Sequence, residues 1–342
     1  MATITDLLSA AETVELQESV PSSDDAETLL ILNQVLPSFR LQWFPQGFML
    51  TGVNGLLQYP FENVDTVAPD GTLQTTDMLL TFILEYHDID LPECAPGVYT
   101  IPVEEYVTMM MQNTAVVERG INRGVLYLEF KYGGFPEEYP ILSRNLSELI
   151  KIPGGLAMKR LIDYRHVLLS TNDVIWLYNI NREIFERFMA ENTNPGQILA
   201  DVYITSFIYN DNGALKPTEG ALKLLNIEYI ANEDHARKLA EFRDFLWEAA
   251  TKLYNETQLK LNTDPERYLD DLQRFWAMVM DYFMVLTICR DIQEYTFTQY
   301  VVLVGTHHQT AIGWFFGVPK LGSMAENGCV DLDGTAMLTV RE

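Results

Sequence analysis

The chain has 342 residues and carries 48 acidic side chains against 23 basic ones, a formal net charge of −25; 48% of it is apolar and 11% aromatic. That much apolar material supports a packed core and excludes disorder for most of the chain, while the length suits one large domain or two lobes. The acidity argues against a sequence-independent nucleic-acid binder, which needs a basic track to displace counterions, and against docking on an anionic membrane surface.

Residues 1–26 read as an acidic leader, without the positive segment and long apolar stretch of a secretory signal. A single large α/β domain is expected over 27–326, with two lobes divided near 210–232 as the alternative, and 327–342 is expected to be a tail. The aromatic, Gly-containing stretch Phe39–Tyr59 suits strands and turns. Met78–Tyr86 (MLLTFILEY) is a continuous apolar run with a polar end, the pattern of a strand buried on both faces. Helical spacing follows over Pro102–Arg119, where three consecutive Met read as core packing. Gly124–Phe130 reads as a second strand, Ser143–Ile150 as a short helix, and Ala157–Leu169 as a helix-to-strand transition. Arg182–Met189 and Gln197–Tyr209 look helical.

The last third is patterned more strongly. Glu233–Thr257 puts Ala236, Leu239, Phe242, Phe245, Leu246, Ala249 and Leu253 on one helical face. Asp264-Pro265 is a helix start, an N-cap acceptor followed by Pro at the first helical position. Tyr300–Val304 is a β-branched strand, followed by Gly305 and a helix from about Gln309 to Phe316. The expected architecture is therefore α/β, with a central, mostly parallel sheet flanked by helices and a helix-rich C-terminal half. The longest apolar window, Phe275–Ile288, is too short to span a bilayer and is broken by Asp281. Three widely spaced cysteines (Cys94, Cys289, Cys329) suit a reducing, intracellular setting.

Three of the five histidines stand at or near the ends of expected buried strands, where α/β sheets open into binding crevices, while His235 falls on a charged helix. Glu85 and His87 close the first buried strand on one side of an extended chain, a pairing that could ligate Mn²⁺ or Zn²⁺, or simply mark where the strand emerges into water. Asp163 and Arg165 share a side in Asp163-Tyr-Arg-His166, as an ion pair or an anion-binding guanidinium. In Gly305-Thr-His307-His308, glycine permits a tight turn after the strand, and His307 could be a metal ligand, a general base or a core-edge residue. No GxSxG, Walker-type or HExxH motif is present.

Three segments, LLTFILEYHD (79–88), IDYRH (162–166) and MDYFMVLTICRDI…YVVLVGTHHQTAIGWFF (280–316), together resemble a family of uncharacterised proteins of nucleocytoplasmic large DNA viruses, the giant viruses. In it an Asp-containing helix ending in Arg precedes a strand, a Gly-x-His turn and a helix, matched here by Asp281, Arg290, Gly305, His307 and His308. More faintly, the acidic strand end with Gly305-Thr-His-His308 is similar to the TraB/ChaN/erythromycin-esterase-like superfamily, although no Gly precedes Glu85 in the expected place. These resemblances imply a viral protein of the host cytoplasm or the virion, with viral or self partners. One expectation is an interaction protein on an α/β core with an eroded site. The other is a hydrolase, with Glu85, His87, Asp163 and His307 as divalent-metal ligands and His307, Glu85, Arg165 and Arg290 as catalytic groups acting on a small molecule.

Overall fold

In a computed structural model of the chain, the residues described are 48–67, 72–85, 100–112, 124–131, 144–154, 156–163, 204, 206–227, 230–295, 297–324 and 329–332. Packing divides the chain into two units. One is built on Ile162–Arg290, the other on Thr13–Leu161 together with Asp291–Glu342.

The second unit holds the main sheet. Its strands are β1 (Phe48–Thr51), β2 (Gly55–Val67), β3 (Leu73–Glu85), β4 (Thr100–Pro102), β5 (Gly124–Lys131) and β6 (Met158–Asp163, whose last two residues cross the division), with helices α1 (Val103–Gln112) and α2 (Arg144–Leu149) between them. The chain was expected to be α/β, and it is. Apolar continuity explains the inner strands: Leu80, Phe82, Ile83 and Leu84 of β3 and Val125–Leu128 of β5 are fully buried, as strands covered on both faces must be.

The central partner of both is β9 (Gln299–Gly305), buried throughout from Tyr300 to Gly305. It runs parallel to β3, from Leu79↔Gln299 to Glu85↔Gly305, and parallel to β5, from Gly124↔Gln299 to Leu128↔Leu303. On the far side of β3 the pairing turns antiparallel, through β2 and then β10 (Leu321–Met324), giving the order β10-β2-β3-β9-β5-β6. A smaller sheet, β11-β1-β4, pairs β1 with β11 (Cys329–Leu332). Residues 329–332, expected in a tail, are thus a strand, and a four-residue edge segment is too short to announce itself by periodicity.

One face of the main sheet packs Ile83, Leu126, Leu128, Val301 and Leu303 against Tyr106, Val107, Met110, Leu146 and Leu149 of α1 and α2. The three Met are core, as their spacing implied. The opposite face meets α6 (Gln309–Phe316), where Phe316 packs on Tyr59 and Phe82 with ring centroids 5.6 Å apart. On that same face Tyr127 stacks on Tyr300, and its hydroxyl donates to Asp291 Oδ2 at 2.6 Å. Arg160 grips both oxygens of that carboxylate, at 2.8 and 2.9 Å. The buried charge is therefore paired and hydrogen-bonded rather than orphaned. Burial pushes the Asp291 carboxyl up, with Arg160 and Tyr127 pulling it back. Burial works to lower the Arg160 pKa, but the charge of Asp291 outweighs it and raises that pKa, so the guanidinium stays protonated.

The first unit is mainly helical. Its hairpin β7 (Ile208–Asp211) and β8 (Ala214–Pro217) turns at Asn212-Gly213, both with positive φ (52° and 85°), the two-residue turn that matches strand twist. Helix α3 (Glu219–Leu224) follows, capped by Thr218. The long helices α4 (Glu233–Thr263) and α5 (Pro265–Glu294) meet at Asp264, whose Oδ1 accepts from Arg267 N. The buried face of α4 is Leu239, Phe242, Leu246, Ala250 and Leu253. Of the seven residues expected on it, Phe245 is 52% exposed and Ala236 and Ala249 are half-buried, so the buried stripe is narrower than the apolar spacing suggests. Residues 182–189 lie outside the described set, and Ile208–Tyr209 open a strand rather than ending a helix. No helix among the described residues is long and apolar enough to cross a membrane.

Burial raises the pKa of the Tyr106, Tyr127 and Tyr300 hydroxyls above the ordinary 10.0, with the charge of Asp291 adding to the rise at Tyr127 and Tyr300. Their folded pKa values exceed the unfolded ones, so their contribution to stability is complete below pH 10 and falls away as pH rises beyond it. In an alkaline titration followed at the phenolate absorbance, ionisation of these tyrosines is expected to coincide with loss of near-ultraviolet dichroism. Smooth titration at the ordinary pKa with the fold intact would contradict their placement.

Candidate functional site at the carboxyl edge of the parallel strands

The parallel register brings three strand ends together. Glu85 ends β3 beside Gly305, which ends β9, and Glu129 stands one residue beyond the Leu128–Leu303 pair on β5. Paired residues of a sheet share a face and successive residues alternate, so Glu85 follows the α1/α2 face and Glu129 the α6 face. Two carboxylates therefore flank the end of one central strand, on opposite faces, about 10 Å apart by strand spacing.

Glu129 is tied to the turn that follows β9. Its Oε2 accepts from the Gly305 N–H at 2.7 Å, and its Oε1 lies 3.3 Å from His308 Nε2. Gly305 begins a 3-10 turn, Thr306–His308, that leads directly into α6. The turn points its two histidines differently: His308 is 4% exposed, whereas His307 is exposed. A carboxylate held by a backbone N–H and set against an imidazole is the arrangement that fixes a histidine's orientation and tautomer.

On the other face Glu85 is 2% exposed. Its Oε2 accepts from Asn145 Nδ2 at 2.7 Å, and the same amide donates to the Gly52 carbonyl oxygen at 2.5 Å. Asn145 belongs to the first turn of α2, so a short helix, a strand end and the β1–β2 link are joined by one carboxamide. Gly52 has φ +83°, and a Cβ placed there would meet Asn145 Oδ1 at 3.1 Å. Backbone handedness and space therefore both require glycine. Asn54, next in that link, is 8% exposed and its N–H donates to the Leu84 carbonyl oxygen.

Of the residues singled out in the sequence, Glu85 and the Gly305–His308 turn stand side by side in this edge. Asp163 ends β6, beyond β5 in the strand order. Arg290 lies in α5 of the helical unit, where it donates to the Asn226 carbonyl oxygen at 2.8 Å. His87, Arg165 and His166 lie outside the described residues. Among the described residues no group of three or more His, Cys, Asp or Glu side chains is placed to hold a metal ion. Glu129, Asn145 and Asn54 were not singled out in the sequence. Glu129 is foreshadowed by alternation in GVLYLEF, which puts it in line with Val125 and Tyr127 near the strand end. The two Asn carry no sequence signal, because only the fold sets Asn145 against Glu85 and buries Asn54.

Comparison with protein-family models, curated proteins and solved structures finds no match to this chain.

Replacing Gly52 with Ala is expected to cost roughly 1–3 kcal/mol of stability, from positive φ and the close Asn145 amide together. Chemical denaturation of Gly52→Ala beside Ala→Gly controls elsewhere measures this, and an unchanged midpoint would contradict the link geometry.

Proposed function

We propose that the protein is a hydrolase-type acid–base enzyme whose proton-transfer group is His308, with Glu129 as its positioning residue. The observation that carries this is the Glu129 carboxylate bridging Gly305 N–H and His308 Nε2 at the end of a fully buried central strand. Such strand ends are where α/β proteins place ligands. With Glu129 set against Nε2, the imidazole is oriented, and the proposed role of His308 is to take a proton from an attacking water and return it to a leaving group. Exposed His307, one residue away, gives the same turn a solvent-facing imidazole. The faint similarity of Gly305-Thr-His-His308 to the TraB/ChaN/erythromycin-esterase-like superfamily supports a hydrolytic reading of this turn, whereas the metal-dependent version finds no ligand cluster among the described residues. The substrate is a small molecule.

The test is turnover on a panel of simple esters and amides. On the substrate hydrolysed, His308→Ala is expected to lower kcat by roughly 10²–10⁴, and Glu129→Gln by less. Full turnover in His308→Ala would remove the proposal.

A second reading, an interaction protein of a large DNA virus found in the virion or host cytoplasm, is favoured by one surface. Trp314 in α6 is 49% exposed, and Val318, two residues past the end of that helix, is 93% exposed. Under that reading the partner is a second copy or another viral protein. Sedimentation is expected to show concentration-dependent association that Trp314→Ala abolishes. A monomer at all concentrations would count against self-association.

A further inference from the structure

We propose that the pocket between α3, the turn after it and α4 binds an apolar α-amino acid in its zwitterionic form. The pocket measures about 420 Å³, within the range of roughly 300–1,000 Å³ that small-molecule sites occupy. Leu222 of α3, Leu225 and Ile227 of the turn and Trp247 of α4 line it, beside Arg243 and Asp244. The helical repeat explains the α4 contribution: Arg243 and Asp244 stand four and three residues before Trp247, so all three fall on one side of the helix. Leu222 is 55% exposed and Trp247 half-buried, which leaves apolar surface open to a ligand. Two backbone carbonyls in the wall are held from α5. The Tyr282 hydroxyl donates to the Leu225 carbonyl oxygen at 3.2 Å, and Arg290 Nη2 donates to that of Asn226 at 2.8 Å. The wall is therefore set before a ligand arrives, which spares binding the cost of ordering it.

The polar side of the pocket carries both signs of charge. Arg243 Nε and Nη2 both turn to one oxygen of Asp244, Oδ1, at 3.0 and 2.9 Å. Nη1 of Arg243 and Oδ2 of Asp244 have no partner among the described residues, so free donors and a free anionic acceptor belong to neighbouring side chains. Burial raises the Tyr282 pKa, while the Arg243 charge lowers it and the Asp244 charge adds to the rise, which puts this pair near the Leu225 wall. A simple anion is repelled by Asp244 and a simple cation by Arg243, and the −25 charge of the chain disfavours an anion further. A zwitterion answers both groups, its carboxylate at Arg243 and its ammonium at Asp244, through charge-assisted hydrogen bonds. The apolar wall takes the side chain. The Arg243 side chain is 38% exposed and that of Asp244 67%, so their mutual ion pair adds little to stability and gives way readily to a ligand. This inference goes beyond the acid–base reading of Glu129 and His308 and does not rest on it.

The experiment is calorimetric titration of the full chain with L-phenylalanine and with L-leucine, at neutral pH and fixed ionic strength. Three parallel probes each lack one part: hydrocinnamate the ammonium, phenethylamine the carboxylate and glycine the apolar side chain. Saturable binding of the two apolar amino acids is expected, with each truncated probe weaker by about tenfold or more. Arg243→Gln should erase the preference for L-phenylalanine over phenethylamine, and Asp244→Asn the preference over hydrocinnamate. Both side chains reach solvent, so the two variants are expected to melt with the unaltered chain, and the probe series on that chain decides the matter independently of them. The proposal is overturned if neither amino acid binds saturably, if any truncated probe binds as tightly as L-phenylalanine, or if either variant keeps the original preference.

Discussion

The carboxylate of Glu129 is the interaction on which the architecture of the strand edge depends. It spans two points that the chain separates by 176 and 179 residues, the Gly305 N–H and the His308 imidazole. The backbone N–H that ends β9 and the imidazole of a buried histidine both need a polar partner where the sheet stops. One acidic side chain answers both needs, and in doing so fixes where β9 ends, how the 3-10 turn leaves it and where α6 begins. The packing of α6 follows: Phe315 is buried, and Phe316 closes on Tyr59 and Phe82.

A second polar network performs a comparable task at the opposite end of the unit's later segment. Asp291 receives Tyr127 from β5 and Arg160 from β6, while its own carbonyl oxygen accepts from the Tyr300 hydroxyl at 3.4 Å. The segment that supplies β9 is thus tied to the sheet before the strand starts and again after it ends. Between the two ties the strand is apolar and buried, so its register against β3 and β5 is set by side-chain packing on both faces. The polar groups are few, and they stand where packing alone would leave position undetermined. Replacing Asp291 would leave the half-buried Arg160 guanidinium without its carboxylate, which is costlier than losing a surface ion pair such as Arg237–Asp234.

Much of this fold was legible where apolar patterning is continuous. The run MLLTFILEY marks the buried part of β3, YVVLV marks β9, and Asp264-Pro265 marks the junction of the long helices. The start of β3, LQTTD, is mostly polar, and pairing with β2 makes it a strand. Asn212-Gly213 carries a hairpin signal, both residues having the positive φ which that dipeptide favours, and the strand leading into it begins at Ile208, inside the stretch expected to be helical through Tyr209. At the site, the strand-end position of Glu85 and the tight turn at Gly305 could be read from spacing. The division of labour between His307 and His308 could not, since neighbouring residues in a 3-10 turn diverge and only the fold determines which is buried. Asn145 was invisible for a related reason: a carboxamide does not stand out in a sequence until folding sets it beside a carboxylate. The acidic side chains at 233–234, 241–248 and 264–271 are on exposed or half-exposed helix surfaces where the structure describes them, so the net charge describes the coat of the protein while a handful of buried acids organise its interior.

The claim that Glu129 couples the end of β9 to His308 is tested most directly by a double-mutant cycle on stability, using Glu129→Gln, His308→Gln and the pair. Direct contact at 3.3 Å is expected to give a coupling free energy of roughly 0.5–3 kcal/mol, the double variant losing less than the sum of the singles. Strict additivity, within about 0.3–0.5 kcal/mol, would show that the two side chains act independently and would contradict the account.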